Sequence, residues 1–365
     1  MKFLTYFLPQ FYATPENDKH WGKRFTDWDN VKSAKPLYSG HRQPLTPAKL
    51  GAYDLSQKKL FKKVCDYSIK SGVDGFGYWH YWFGNGKQTL EKIQEMHLND
   101  KSITQNLFFA WANQDWTKSW VGQDETIIFK QLYSEKSALD HFEYIKPFIE
   151  DSRYVKKNGM PLFQVINPDS KGCVEHIKIL EEEAVKLYGK GFYWIFPVNK
   201  SIKGLEDLCH ARVGFAPGDV TVKDLIFRLK KNLQKNKWIK KPVIMSNKKY
   251  LNLFKMTLNK SFNSEKVYYP CILAGWDNTP RYKNKGFLID GNIYSLLSGQ
   301  FKILESHIIK SNKVDKLDFI FIKAWNEWAE GNILEPYSFE GYTESPARAI
   351  QELKDRLELF YNKEI

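Results

Sequence analysis

The sequence predicts a (β/α)8 barrel formed as one domain over residues 1–365, and three observations carry that expectation. Eight short runs rich in apolar, aromatic or β-branched residues recur along the chain. Most are followed by a segment with helical periodicity. The length, 365 residues, is of the order such barrels occupy. An open doubly wound sheet is the competing arrangement, but it usually carries a glycine-rich phosphate loop after its first strand. Here that position reads LPQFYATPEND.

The expected strands are FLTYFLPQF (3–11), DGFGYWHYWF (74–83), LFFAWANQDW (107–116), PLFQVIN (161–167), FYWIFPVN (192–199), ARVGFAP (211–217), YYPCILAGWDN (268–278) and DFIFIKAW (318–325). Between them, residues 54–72 place Leu60, Phe61, Val64, Ser68 and Ile69 on one helical face, with Asp54 as N-cap and Gly72 as C-cap. In 173–189, Val174, Ile177, Leu180, Ala184 and Leu187 repeat at helical spacing up to Gly189. The last helix carries Ile350, Leu353, Leu357 and Phe360, with Pro346 suited to its first turn. Long loops are expected at 12–53, 84–106, 117–133 and 279–293.

A hydrophobic share of 42% beside 27% charged residues is that of a soluble globular protein with a full-sized core. Aromatic residues make up 16% of the chain, an excess that suits ligands with flat apolar faces and many hydroxyls, such as sugars. Cys65, Cys173, Cys209 and Cys271 are far apart and form no metal-binding or disulfide pattern, which fits a reducing compartment. The first residues, MKFLTYFLPQFY, are broken by Pro9 and lack a small-residue cleavage site, so they read as a strand rather than a signal peptide. No apolar run approaches the roughly 18 residues of a membrane span. These features predict a cytoplasmic protein with no metal and no cofactor. The net charge of +13 is partly local, in RLKKNLQKNKWIKK at 228–241. That segment reads as a solvated helix face or, as the runner-up, as a peripheral contact with an anionic inner-membrane surface or a lipid-linked glycan.

A barrel places its chemistry at the C-terminal ends of its strands and in the loops that follow. Those ends here read LPQFY, WHYWFGNG, WANQDWTKSW, AGWDNTPRY and WNEWAEG. All are rich in Trp, Asn, Gln, Asp or His, the residues that make aromatic platforms and hydrogen-bonders for a sugar. The candidate substrate-binding residues are therefore Gln10, Tyr12 and Trp28 from the first segment; His80 and Trp82 from the second; and Trp111, Asn113, Asp115 and Trp116 from the third. Trp276, Asp277, Asn278 and Arg281 come from the fourth, and Trp325 and Asn326 from the fifth. Asp115 and Asp277 could bind sugar hydroxyls or cap the segments that follow them. His41 and His80 have no partner acids for a metal cluster and read as hydrogen-bonders; Glu335 reads as a structural loop acid.

Glu327 and Glu330 are the candidate catalytic pair. In a continuing strand, positions i and i+3 point to opposite faces, so both acids reach one pocket only if the chain turns, and Gly331 eases such a turn. Paired carboxylates suit glycosidic-bond chemistry, and tryptophan walls would desolvate one of them and raise its pKa.

Taken together, LPQFY, PENDKHWGKRFTDWDNV, KPLYSGHRQP, DGFGYWHYWF, WANQDWT, NGMPLF, GWDNTPR and WNEWAEGNILEP resemble the WbsX-type glycosyltransferase family. That family is related to glycoside hydrolase family 99, the endo-α-mannosidases. The resemblance runs from Phe3 to beyond Glu335. It implies a (β/α)8 barrel acting on glycans, with bacterial members tied to surface polysaccharide production. It further implies a retaining mechanism. Glu327 takes the proton from the substrate's 2-hydroxyl, whose oxygen attacks the anomeric carbon, and Glu330 serves as acid and then base at the leaving oxygen. Two positions depart from the pattern: Tyr12 stands where His is common, and Asp27 where Glu is usual. Tyr12 cannot act as a cation near neutral pH, and Asp27 has one methylene less reach.

Three readings remain at this level: an enzyme that cleaves or rearranges an α-linked surface polysaccharide or its precursor, a transferase that builds it from an activated or lipid-linked donor, and a non-catalytic glycan-binding barrel. A nucleic-acid partner is not expected, because the basic segment lies away from the aromatic strand ends that would supply stacking.

Overall fold

The computed structural model describes residues 1–118, 123–311 and 317–364. Each of the eight predicted runs contributes to one parallel sheet. Its strands are β1 (Lys2–Phe7), β2 (Gly75–Gly84), β3 (Leu107–Trp111), β4 (Met160–Val165), β5 (Tyr193–Pro197), β6 (Cys209–Val213), β7 (Val267–Tyr269), β8 (Cys271–Leu273) and β9 (Phe319–Lys323). They pair in the order β7-β6-β5-β4-β3-β2-β1-β9-β8. The two ends of that order are halves of a single predicted run. Pro270 separates them because it has no N–H to give to a ladder. Residues 267–269 pair with β6 and residues 271–273 with β9, so the sheet curls into a nearly closed barrel, as the sequence predicts.

The longer helices are α1 (Pro15–Trp21), α2 (Asp27–Ser33), α3 (Lys58–Lys70), α4 (Glu91–Asn99), α5 (Glu135–Glu150), α6 (Cys173–Tyr188), α7 (Leu225–Lys235), α8 (Asn247–Ser261), α9 (Ile293–Ser311) and α10 (Arg348–Glu364). None among the described residues is long and apolar enough to cross a membrane. Helix α3 differs from expectation at both ends. Asp54 spends its carboxylate on Ser56 N and Oγ (2.8 and 2.6 Å), forming a local turn, so the N-cap falls at Gln57. The C-cap is Ser71, with Gly72 following at φ +84°, and Ile69 is 39% exposed rather than buried. Gly189 does close α6, at φ +67°. The 84–106 loop contains a short strand and α4, which buries Ile93 and His97; the 117–133 loop carries strands Trp116–Lys118 and Gln123–Phe129. Trp120, at the end of the third predicted motif, and the side chain of Phe360 lie outside the described residues.

Strand alternation sorts the aromatic residues into two layers. Tyr6, Trp79, Phe108 and Phe321 fill the barrel, with Tyr6 stacked on Trp79 at 4.7 Å. Phe7, Tyr78, Trp82 and Phe109, of the opposite parity, point outward against the helices. Gly77 is part of the interior packing: a Cβ there would lie 2.2 Å from Cζ of Phe108, which is fully buried. Gly77→Ala should therefore destabilise the fold by about 1–3 kcal/mol through overpacking. An unchanged melting temperature in a thermal unfolding experiment would contradict this account of the interior.

Candidate active site

The turn carrying the two glutamates is built from the WNEWAEG segment itself. Asn326 clamps it to the end of β1: its Oδ1 accepts from Leu8 N at 2.8 Å and its Nδ2 donates to Leu8 O at 3.0 Å. Trp325 and Trp328 hold it from behind. Both indoles donate to the buried Glu335, at 3.0 and 2.7 Å, and Tyr53 donates to the same carboxyl at 2.9 Å. After Glu327 the chain makes a 3₁₀ turn over Trp328–Glu330 and reverses at Gly331, φ +57°, so that Asn326–Glu327 pairs with Asn332–Ile333. A side chain at 331 would be doubly unfavourable there. The φ is left-handed, and a Cβ would sit 3.0 Å from Asp277 N and Cβ.

This reversal sends Glu327 and Glu330 into one cavity of about 800 Å³. The cavity is framed by strand ends and the loops that follow: Leu8 after β1, Trp79 and Tyr81 in β2, Asn113 to Thr117 after β3, Ile166 after β4, Phe215 after β6, Arg281 and Tyr282 after β8, and Lys323 at the end of β9. That is the C-terminal mouth of the barrel.

The two acids meet opposite surroundings. Glu327 is 4% exposed and accepts from Trp79 Nε1 at 2.7 Å. Burial, reinforced by the nearby Glu330 carboxylate, pushes its carboxyl up to about 8. Burial alone would raise Glu330 too, but Arg281 and then Lys323 more than offset it and hold this carboxyl below its ordinary value. Arg281 Nη1 donates to Glu330 Oε1 at 2.6 Å, and Lys323 Nζ stands 4.0 Å from Oε2. The two carboxyls share the cavity, each within the electrostatic field of the other. Of the two, Glu327 is thus the carboxyl whose surroundings favour the protonated form and Glu330 the one whose surroundings favour the ionised form. Like-charge repulsion and the asymmetric position of Arg281 together produce that difference.

Arg281 is itself anchored. Its guanidinium donates through Nη2 and Nε to the fully buried Asp27. Gln10 Oε1 in turn accepts from Asp27 N at 2.7 Å, and Trp28 packs between Phe11 and Trp328 at 4.5 and 5.5 Å. Burial opposes the charge on Arg281, but Asp27 and Glu330 keep it on.

Of the predicted residues, the structure brings Glu327, Glu330, Asn113, Asp115, Trp116 and Arg281 to the cavity. Gln10, Trp28, Trp325 and Asn326 stand behind it as supports. Tyr12 is buried beside α4, with Lys92 Nζ 5.7 Å from its ring centre. His80, Trp82 and Trp111 face outward. His80 Nε2 and His141 Nε2 lie 2.9 Å apart, and His141 Nδ1 and His176 Nε2 3.0 Å apart. Trp82 stacks on His141 and Trp111 packs against His176. Burial pushes His80 and His176 down to about 3, so both are neutral. Trp276 and Asp277 line a separate cavity of about 40 Å³. Asp277 accepts from Gln43 Nε2 at 2.7 Å and from Thr279 N at 3.0 Å, and it faces His41 Nε2 at 2.9 Å. Asn278 Oδ1 accepts from Phe287 N at 2.8 Å. Strand-end reading missed Trp79, Tyr81, Phe215 and Lys323. Alternation was the available signal: in β2 the cavity takes 79 and 81, not 80 and 82. Among the described residues no cluster of His, Cys, Asp or Glu could hold a metal ion.

A family model described as "Glycosyltransferase WbsX" matches residues 3–344. The chain is similar to WxcX of Xanthomonas campestris pv. campestris, described as an uncharacterized protein. The two are 28% identical over 360 residues, covering 93% of this chain and 48% of WxcX. The chain thus spans about half the length of the curated relatives it matches. Among solved structures it resembles the GH99 endo-alpha-mannosidase of Bacteroides thetaiotaomicron, with TM-score 0.56, 15% identity and 97% of each chain covered. It also resembles a protein described as glycoside hydrolase-like, with TM-score 0.60, 11% identity and coverage of 97% of this chain and 93% of the other. At these identities the likeness is one of fold.

Proposed function

The chain belongs to the WbsX glycosyltransferase family, and from that membership we propose that it acts on the glycosidic bonds of an α-linked bacterial surface polysaccharide or its precursor, through Glu327 and Glu330. The observation that carries this reading is a pair of carboxyls in opposite surroundings, Glu327 against the Trp79 indole and Glu330 against Arg281, opening into one aromatic cavity large enough for several sugar rings. The likeness to an endo-α-mannosidase fold supports the α-linked substrate class.

In the proposed cycle, one carboxylate removes the proton from the sugar's 2-hydroxyl while O2 attacks C1. The other carboxyl protonates the leaving oxygen as the C1–O bond breaks. Opening of the resulting three-membered ring by water gives hydrolysis; opening by an acceptor hydroxyl gives transfer. Both fates share the first half-reaction and differ only in what fills the cavity next. Roles carried over from the family make Glu327 the base and Glu330 the acid, whereas burial of Glu327 and the cations beside Glu330 favour the proton on Glu327. A membrane-anchored lipid carrier is the other form such a substrate takes, and 228–241 is the basic part of the surface suited to meet it.

Whichever residue is the acid, the competent pair holds one proton. Activity should fall as pH rises through about 8, where the pair loses that proton, and should fall again only below the ordinary carboxylate range, where Glu330 gains a second. A kcat/KM profile carried from pH 10 down to the acid limit of the folded protein checks both limbs; a flat profile across pH 8 would remove the shared proton from the mechanism. The substrate class is tested by product analysis with a lipid-linked oligosaccharide and a free α-mannan side by side. Inertness toward both, with glycan binding intact, would support a binding barrel instead.

A further inference from the structure

We propose that α7 and the turn after it form a docking surface for an anionic membrane. The helix is amphipathic in the wrong sense for a solvated face. Its inner side carries Phe227, Lys231 and Gln234. Phe227 packs edge-on against Phe287 at 4.6 Å, and Gln234 Nε2 donates to the carbonyls of Lys241, Asn284 and Gly286 at 3.0, 3.0 and 3.1 Å. Lys231 Nζ donates to Gln234 Oε1 at 2.6 Å. The outer stripe is apolar: Leu225, Ile226 and Leu229 are 74%, 58% and 59% exposed. Val222 on one side and Trp238 on the other are 52% and 80% exposed. Single exposed apolar residues are ordinary, but a helix whose aliphatic stripe faces water lacks its partner.

Charge says what the partner is. From Leu225 to Lys249 the chain has nine Lys and Arg and no Asp or Glu. Arg228, Lys230, Lys235, Lys237 and Lys240 are all exposed around the stripe. Aliphatic side chains flanked by lysines, with a tryptophan at one end, are the make-up of a helix that lies in the headgroup layer of an acidic bilayer. A second copy would set these five exposed cations against the same five. A nucleic acid would want stacking faces, and Leu225, Ile226 and Leu229 offer none.

The surface also lies on the right side of the molecule. Helix α7 rests on residues 284–287, and strand Val243–Ser246 pairs in parallel with Phe287–Asp290. The same segment carries Arg281 and Tyr282 into the cavity. The apolar stripe is therefore built on the loops at the mouth of the barrel, so docking would bring the cavity close to the lipid surface. The inference rests on the surface alone and holds whether or not Glu327 and Glu330 are catalytic.

The test is sedimentation of the full chain with phosphatidylcholine vesicles, with and without phosphatidylglycerol, at low and high salt. Binding should require phosphatidylglycerol and weaken with salt. The double substitution Ile226→Ser with Leu229→Ser should weaken it about a hundredfold, and Lys230→Gln with Lys235→Gln about thirtyfold. Melting temperatures should not change, because these side chains are exposed. No partition onto anionic vesicles, or equal partition of the stripe variant, overturns the proposal. So does a concentration-dependent dimer abolished by the stripe variant, or displacement of the vesicles by single-stranded nucleic acid.

Discussion

Glu327→Gln and Glu330→Gln should each reduce turnover of the native glycan about a thousandfold, the scale on which a positioned proton donor or acceptor contributes. The two variants should part company with an aryl glycoside whose leaving phenol needs no protonation. The variant that has lost only the acid should recover much of its rate, while the one that has lost the base should stay inactive. Recovery by Glu330→Gln would confirm the roles that family resemblance implies. Recovery by Glu327→Gln would instead match the resting protonation of the pair. Full activity of both variants on every substrate would end the catalytic assignment. Stability should differ as well. Burial favours the neutral form of Glu327, and the amide of Gln still accepts from Trp79 Nε1, so its replacement should leave the melting temperature nearly unchanged. Glu330→Gln removes one of the two carboxylates that neutralise Arg281 and should cost about 1.5–3 kcal/mol.

Removing Arg281 should have the larger structural effect. Arg281→Gln leaves Asp27 fully buried and Glu330 largely buried without their counter-charge, a loss of about 3–5 kcal/mol when one partner of a buried pair is deleted. The pH profile separates this from simple unfolding. Without the guanidinium, the Glu330 carboxyl rises, so the acid limb of kcat/KM moves upward in the fraction that remains folded. Asp27→Asn added to Arg281→Gln should restore part of the stability, because it removes one orphaned charge, but not the position of the limb. An acid limb that stays put in Arg281→Gln would mean that Arg281 does not set the ionisation of Glu330.

Much of this was legible in the chain. Eight apolar runs gave the barrel because strand and helix periodicities are local properties of a few neighbouring side chains. The WNEWAEG segment flagged the acid pair because two carboxylates beside tryptophans have no evident structural use at a strand end. The tryptophans themselves were read less well. Trp325 and Trp328 brace the turn through Glu335, while Trp79 and Trp116 wall the cavity. In β2 the sequence WHYW offers four aromatic rings at once, and composition cannot say which parity faces inward.

By itself, then, the sequence determined the barrel and singled out Glu327 and Glu330 as candidates at the end of its last strand, since each depends on spacing within a dozen residues. Only the closed tertiary structure decided that 79 and 81 rather than 80 and 82 meet the cavity, that Arg281 finds Asp27 from 254 positions away, and that Glu327 and Glu330 meet opposite surroundings. The physical reason is range. Periodicity acts between neighbours along the chain. Burial and Coulomb interactions act across space, and they take effect only once closure of the sheet has brought distant residues together.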